Sequence, residues 1–175
     1  MDHVDVLIIA ALQEELEAVQ AVAGATWTPH ESDHPYLRCD FPCRDGRRLS
    51  VAPARPTRMG GRVTSQFATH LAGELQPGCL AMSGVCAGNP SDVALGDVVV
   101  AEIAYEHDEG KLTGQGLVGD HRQYRLDDRC FRAAQEFHPA GLPSYGELAR
   151  RRRPSGSPSG CTPGRTHNQQ TNIFN

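Results

Sequence analysis

The sequence predicts an α/β fold, and three observations carry that prediction. A continuous β-branched and aliphatic run, VDVLIIAAL (residues 4–12), passes directly into QEELEAVQAV, where Leu12, Leu16, Val19 and Val22 recur at helical spacing. Strand followed at once by helix is the alternation that builds a layered α/β domain. A second helical pattern, GGRVTSQFATHLAGEL (60–75), spaces Val63, Phe67, Leu71 and Leu75 four apart and lies between two further apolar runs.

Taken in order, residues 4–12 read as a strand buried on both faces, because polar residues do not alternate with the apolar ones. PYLRCDF and RRLSVAPA flank PCRDGR, whose Asp45-Gly46 is a hairpin turn signal. The amphipathic helix opened by Gly60 and Gly61 follows. CLAMSGV (79–85) reads as a second buried strand and LGDVVVAEIAY (95–105) as a third. Val6–Ile9, Leu80, Met82 and Val98–Val100 are therefore expected to form the central sheet and its core. Glycines 110, 114, 116 and 119 predict a loop or irregular hairpin, and LDDRCFRAAQEF (126–137) a helix capped near Asp127 or Asp128. Residues 150–175 are Ser/Gly/Pro-rich with almost nothing to bury, and are expected to be disordered. The expected organisation is one domain over 1–149 and a basic tail over 150–175.

Composition narrows the function classes. The net charge of −4 splits into a body with 12 basic against 21 acidic side chains and a tail with five arginines and no acid. An acidic body argues against a nucleic-acid surface, and the run Arg150–Arg153 reads as a solvated face. No apolar run approaches the roughly 20 residues that span a bilayer. Asp2 and Asp5 are the wrong charge for the basic start of a signal peptide. The six cysteines are scattered and several sit within apolar segments, as expected of reduced thiols in a cytoplasmic protein. Cys39 and Cys43 have no matching second pair, so no zinc site is expected, and His30, His34, His70 and His121 show no metal-ligand spacing.

Three glycine-bearing or acidic turns follow predicted strands. In an open α/β sheet, ligands bind beyond the carboxyl ends of the strands. Glu14 and Glu15 lie where the first strand gives way to helix. A carboxylate there can orient a water molecule or accept its proton, and it can equally serve the helix dipole. RPTRMGG (55–61) leads into the second helix with free amides. SGVCAG (83–88) packs small residues between two apolar runs, either because something approaches the backbone closely or because two strands need a tight link. Three such turns at one sheet edge suggest a small-molecule pocket without naming its ligand.

VLIIAALQEELEAV, MGGRVTSQFATHLA and SGVCAGNPSDVALGDVVVAEIAYEHD together resemble the purine nucleoside phosphorylase/uridine phosphorylase superfamily. Within it they are most similar to the methylthioadenosine/S-adenosylhomocysteine nucleosidases, over roughly residues 4–137. The resemblance implies a twisted mixed central sheet flanked by helices and cleavage of the N-glycosidic bond of nucleosides. It implies that Glu15 helps activate the attacking water, that Met59, Gly60 and Gly61 lie near the ribose and the nucleophile, and that Gly84, Val85, Cys86, Ala87 and Gly88 line the ribose and base pocket. It implies a small-molecule nucleoside as partner and allows self-association, since relatives are often oligomers; no cofactor, metal, nucleic acid or membrane is expected.

Two departures qualify what the resemblance implies. Related phosphorylases carry an arginine just before the small-residue turn, where this chain has Met82, and a carboxylate such as Glu15 repels phosphate. Hydrolysis is therefore expected over phosphorolysis, with Arg58 and Arg62 as counter-evidence. The family's Met-Glu pair that binds the ribose hydroxyls and its Asp that protonates the leaving purine have no counterpart here. The composition change at about residue 149 reads as a truncated or frame-shifted product with little or no base release. YEHDEGK (105–111) resembles a segment of relatives fused to signalling and defence proteins, which keeps a non-catalytic nucleoside-sensing module as the alternative.

Overall fold

The computed structural model describes residues 3–138 apart from 23, 44, 94–96, 107–108 and 121. The expected disordered tail, the boundary at 149 and His121 lie outside the described residues. The chain divides into two compact units, the first ending at Val85 and the second beginning at Cys86.

The first unit is built on a five-stranded mixed sheet. Its elements in chain order are β1 (Val6–Ile9), α1 (Gln13–Gln20), β2 (Thr28–His30), β3 (Tyr36–Pro42), β4 (Arg48–Ala54), α2 (Gly61–Leu75) and β5 (Cys79–Met82). The strand order is β2-β3-β4-β1-β5. β1 runs parallel to both β4 and β5, whereas β3 is antiparallel to β2 and β4. The β3–β4 hairpin turns where Asp45-Gly46 predicts it. Gly46 takes φ 80°, a left-handed conformation that a Cβ would penalise. Asp45 accepts hydrogen bonds from the Arg47 backbone N–H (3.1 Å) and from Arg47 Nε (2.6 Å).

The core lies between this sheet and α2. Phe67, Leu71 and Leu75 form the buried stripe of the helix and pack with Val4, Leu7, Ile9, Tyr36, Ala52 and Ala54. The four-residue spacing seen in the sequence is thus the face turned to the sheet. α1 buries none of its residues fully; Leu16 and Val19 are half-buried, while Leu12 and Val22, which flank the helix, are exposed. β2 has no clear signal in the sequence, and it places His30 in a strand, where its ring stacks on Tyr36 with centroids 4.8 Å apart. His34 stacks on His70 of α2 at 4.0 Å.

Three expectations need correction. The first strand is shorter than 4–12, because Leu12 already serves as the N-cap of α1. The second strand ends at Met82, and it is an edge strand with Leu80 53% and Met82 52% exposed. In parallel register Leu80 lies beside Leu7 and Met82 beside Ile9, but the packing stripe of α2 reaches Leu7 and Ile9 and leaves the edge uncovered. Val98–Val100 form no strand, and Val98 is 74% exposed. An apolar run becomes a strand only where a neighbour supplies the ladder, and over 97–105 only Ile103 and Ala104 find one.

The second unit contains β6 (Ile103–Ala104), β7 (Gly110–Thr113), β8 (Gly116–Gly119), β9 (Tyr124–Arg125) and α3 (Asp128–Gln135). β6 pairs antiparallel with β9, and β7 with β8 as an exposed hairpin. Asp127 caps α3 by accepting from the N–H groups of Arg129 (3.0 Å) and Cys130 (3.4 Å). Among the described residues no helix is long and apolar enough to cross a membrane.

Candidate functional site

Parallel pairing brings three carboxyl ends to one edge of the sheet. Ile9 is in register with Ala54 on one side and with Met82 on the other. The ladders run one step further: the Ala10 N–H donates to the Ala54 carbonyl and the Ser83 N–H to the Ile9 carbonyl, each at 3.0 Å. The turns that leave this edge are 10–12, 55–60 and 83–85, those singled out from the sequence. Sequence spacing alone does not show that they share an edge; strand order does.

Glu15 is the most closely held side chain at this edge. It is the third residue of α1, so its carboxylate reaches back over the helix start, and Oε2 accepts from the backbone N–H groups of Ala11 and Leu12, both at 3.0 Å. That is the reach-back half of a capping box, set against an apolar N-cap that has no side-chain acceptor to return the bond. The other oxygen, Oε1, accepts from the Val85 N–H at 2.8 Å, across 70 residues of sequence. Burial works to raise the Glu15 pKa, but the three N–H donors, Val85 first, outweigh it and hold the carboxyl below the usual glutamate range. The positive end of α1 favours the same ionised form.

Lone-pair counting then limits what Glu15 can do. A carboxylate oxygen offers about two acceptor positions. Both positions on Oε2 are taken, and one on Oε1. Among the described residues a single acceptor position remains, on Oε1, suited to a proton-bearing group such as water and unsuited to an anion. Glu14, adjacent in sequence, is exposed and makes none of these bonds.

The turn after β4 is tied to the same helix start. Arg55 Nε donates to Gln13 Oε1 at 3.1 Å, tying the turn after β4 to the first residue of α1. Gly60 is the N-cap of α2 with φ 121°, a conformation that L side chains rarely adopt. A groove of about 420 Å³ on β2, β3 and β4 is lined by Thr28, His30, Arg38, Asp40 and Arg48 among others and includes none of the predicted site residues. There Arg38 and Arg48 share the Asp40 carboxylate, each at 3.8 Å.

No protein-family model matches the sequence, and none of the curated proteins does. Solved structures do. The S-adenosylhomocysteine nucleosidase of Streptococcus pyogenes, solved with 5-methylthiotubericidin, is similar with a TM-score of 0.57 at 22% identity, over 78% of this chain and 57% of its own. The 5′-methylthioadenosine/S-adenosylhomocysteine nucleosidase of Streptococcus pneumoniae, solved with the transition-state inhibitor MT-ImmA, gives 0.55 at 22% identity, over 75% and 56%. That of Colwellia psychrerythraea, solved with adenine, gives 0.53 at 20% identity, over 77% and 55%. Over the matched part, the chain shares the fold of these nucleosidases. This chain spans a little over half the length of these nucleosidases.

Glu15, Gly84 and Val85 are in direct contact, whereas Met59, Gly60 and Gly61 come five to seven residues after Ala54, where β4 ends at this edge. Met59 and Val85 are exposed. Cys86, Ala87 and Gly88 belong to the second unit, where a Cβ on Gly88 would collide with Val93. Smallness at 88 therefore has a packing reason of its own. Not foreseen from the sequence are the donors to Glu15, the amides of Ala11, Leu12 and Val85, and the Arg55–Gln13 tie. Glu three residues after the N-cap is a local signal for the first two; nothing local announces Val85 or Arg55.

Proposed function

We propose that this chain is a nucleosidase-type domain that binds purine nucleosides of the methylthioadenosine or S-adenosylhomocysteine class and cleaves their N-glycosidic bond with water. Glu15 orients the attacking water through the remaining acceptor position on Oε1, and the segments Met59–Gly61 and Gly84–Val85 receive the nucleoside. The bond from the anomeric carbon to the purine nitrogen breaks, the water oxygen joins the sugar carbon, and the departing base takes up a proton. The observation that carries this reading is the ionised Glu15 at the carboxyl edge of a nucleosidase fold, held by three backbone amides. It favours water over phosphate, because an anion would meet a fixed negative charge, while Arg58 of the β4–α2 turn and Arg62 of α2 are exposed and make no bond to Glu15, and Arg55 of that turn is bonded to Gln13.

Protonating the leaving base as it departs is a general-acid contribution of about 10²–10⁴ in rate. The test is release of free adenine from methylthioadenosine, with and without phosphate. Release that is independent of phosphate and abolished by Glu15→Gln supports the proposal. Release that requires phosphate makes the domain a phosphorylase. Saturable binding with no release, unchanged by Glu15→Gln, makes it a nucleoside-sensing module.

A further inference from the structure

We infer that Gly84 is a positioning residue: the absence of a side chain there is what lets the Glu15 carboxylate bridge the start of α1 and the turn after β5. A Cβ built on Gly84 would lie 2.7 Å from Glu15 Oε1, 3.0 Å from its Cδ and 3.1 Å from Oε2, so the three nearest atoms all belong to one carboxylate. Carbon and oxygen not bonded to each other do not approach to 2.7 Å without one of them moving. Backbone freedom is not the reason for glycine at this position. Among the described residues the glycines with positive φ are 24, 46, 60 and 116, and Gly84 is outside that set.

What moves when a Cβ is added follows from how the carboxylate is held. Its Oε2 is bonded to amides of its own helix start, at Ala11 and Leu12, which travel with it. Its Oε1 bond goes to Val85, the residue next to Gly84. The carboxylate therefore yields on the Oε1 side: it keeps its role as a helix cap and loses the Val85 bond that sets the direction of the remaining acceptor position. Gly84 thus separates the two jobs of Glu15. Capping needs only α1; presenting Oε1 at the sheet edge needs an empty space at 84. This inference deepens the reading of Glu15 as the water-orienting group and rests on it for its functional meaning, but its geometry is independent of turnover.

The experiment follows the side-chain carboxyl of Glu15 by 13C NMR in the full chain across an acid titration, with its resonance assigned by comparison with Glu15→Gln. In Gly84→Ala the Glu15 midpoint is expected to rise toward the ordinary glutamate range, because one of its three N–H donors is lost, while the protein melts close to the parent. An unchanged midpoint in a folded Gly84→Ala protein overturns the inference. If Gly84→Ala fails to fold, the pair Gly84→Ala with Glu15→Ala decides: relief of the clash restores folding, and a pair that stays unfolded where Glu15→Ala alone folds overturns it. A chain that releases no adenine yet shows the shifted midpoint sinks the nucleosidase reading and leaves the positioning role standing.

Discussion

At Glu15 and Asp5, single carboxylates join segments far apart in sequence. Asp5 latches the start of β1 to β4. Its Oδ2 accepts from the Ser50 N–H and the Ser50 hydroxyl, both at 2.7 Å, and its own N–H donates to Ser50 Oγ at 2.9 Å and to the Ser50 carbonyl at 3.0 Å. These bonds from Ser50, backbone first, hold the Asp5 carboxyl below the usual aspartate range against the opposing effect of burial. A folded-state pKa below the unfolded value of about 3.9 means that the stabilisation is full above that pH and is lost as pH falls through the folded value. Asp5→Asn is therefore expected to lower the melting temperature at pH 7 and to flatten its decline between about pH 4 and pH 2. Thermal melts of the two proteins across that range are the check; parallel curves would show that Asp5 carries no acid sensitivity.

Among the elements, α2 does most to organise the first unit, and both its ends show how. Gly60 begins it in a conformation suited to glycine, and Gln76 ends it in the left-handed region with φ 47°, its N–H donating to the Ala72 carbonyl at 3.0 Å. Glycine is the usual residue at such a helix end, because an L side chain there costs about 1–2 kcal/mol. Gln76→Gly is expected to stabilise the protein by about 1 kcal/mol, since the only bond surrendered is an exposed 3.3 Å contact from Nε2 to the Gly73 carbonyl. Urea denaturation would show it as a higher midpoint at unchanged slope. α1 makes the contrasting case. Its apolar spacing is as regular as that of α2, yet it leaves its residues half-buried or exposed, and its firmest attachments are polar ones through Gln13 and Glu15.

For the molecule as a whole, the five-stranded sheet belongs entirely to the first unit, and its β5 edge carries exposed Leu80 and Met82. The groups around Glu15 come from the ends of β1 and β5, and the turn after β4 is tied to the same helix start through Arg55 and Gln13, so a ligand that seats there links elements from across that unit. A ligand that binds only the folded state stabilises it by mass action, by about 2.7 kcal/mol at one hundred times its Kd. Methylthioadenosine is accordingly expected to raise the melting temperature in proportion to the logarithm of its concentration. Differential scanning fluorimetry over a millimolar range is the measurement, and a melting temperature that does not move would count against nucleoside binding by this chain.

Local features were legible in the sequence because their causes are local. The stripe Phe67–Leu71–Leu75, the Asp45-Gly46 hairpin, the passage from β1 into α1 and the Asp127 cap each follow from residues within one or two turns of one another. Glu15 could be singled out because an acid at the third helix position after a buried strand is itself a local pattern. What the sequence could not reveal depends on neighbours distant along the chain. Leu80 and Met82 have the composition of a buried strand, but burial requires a covering element, and α2 stops short of them. Val98–Val100 have the composition of a strand, but a strand requires a ladder partner. Gly84 reads as one small residue among several until the tertiary fold sets Glu15, 69 positions away, against its α-carbon. The sequence by itself determined which segments form helices, hairpin and central strand; the tertiary structure decided which apolar surfaces are covered and which carboxylate stands where, because both depend on strand order.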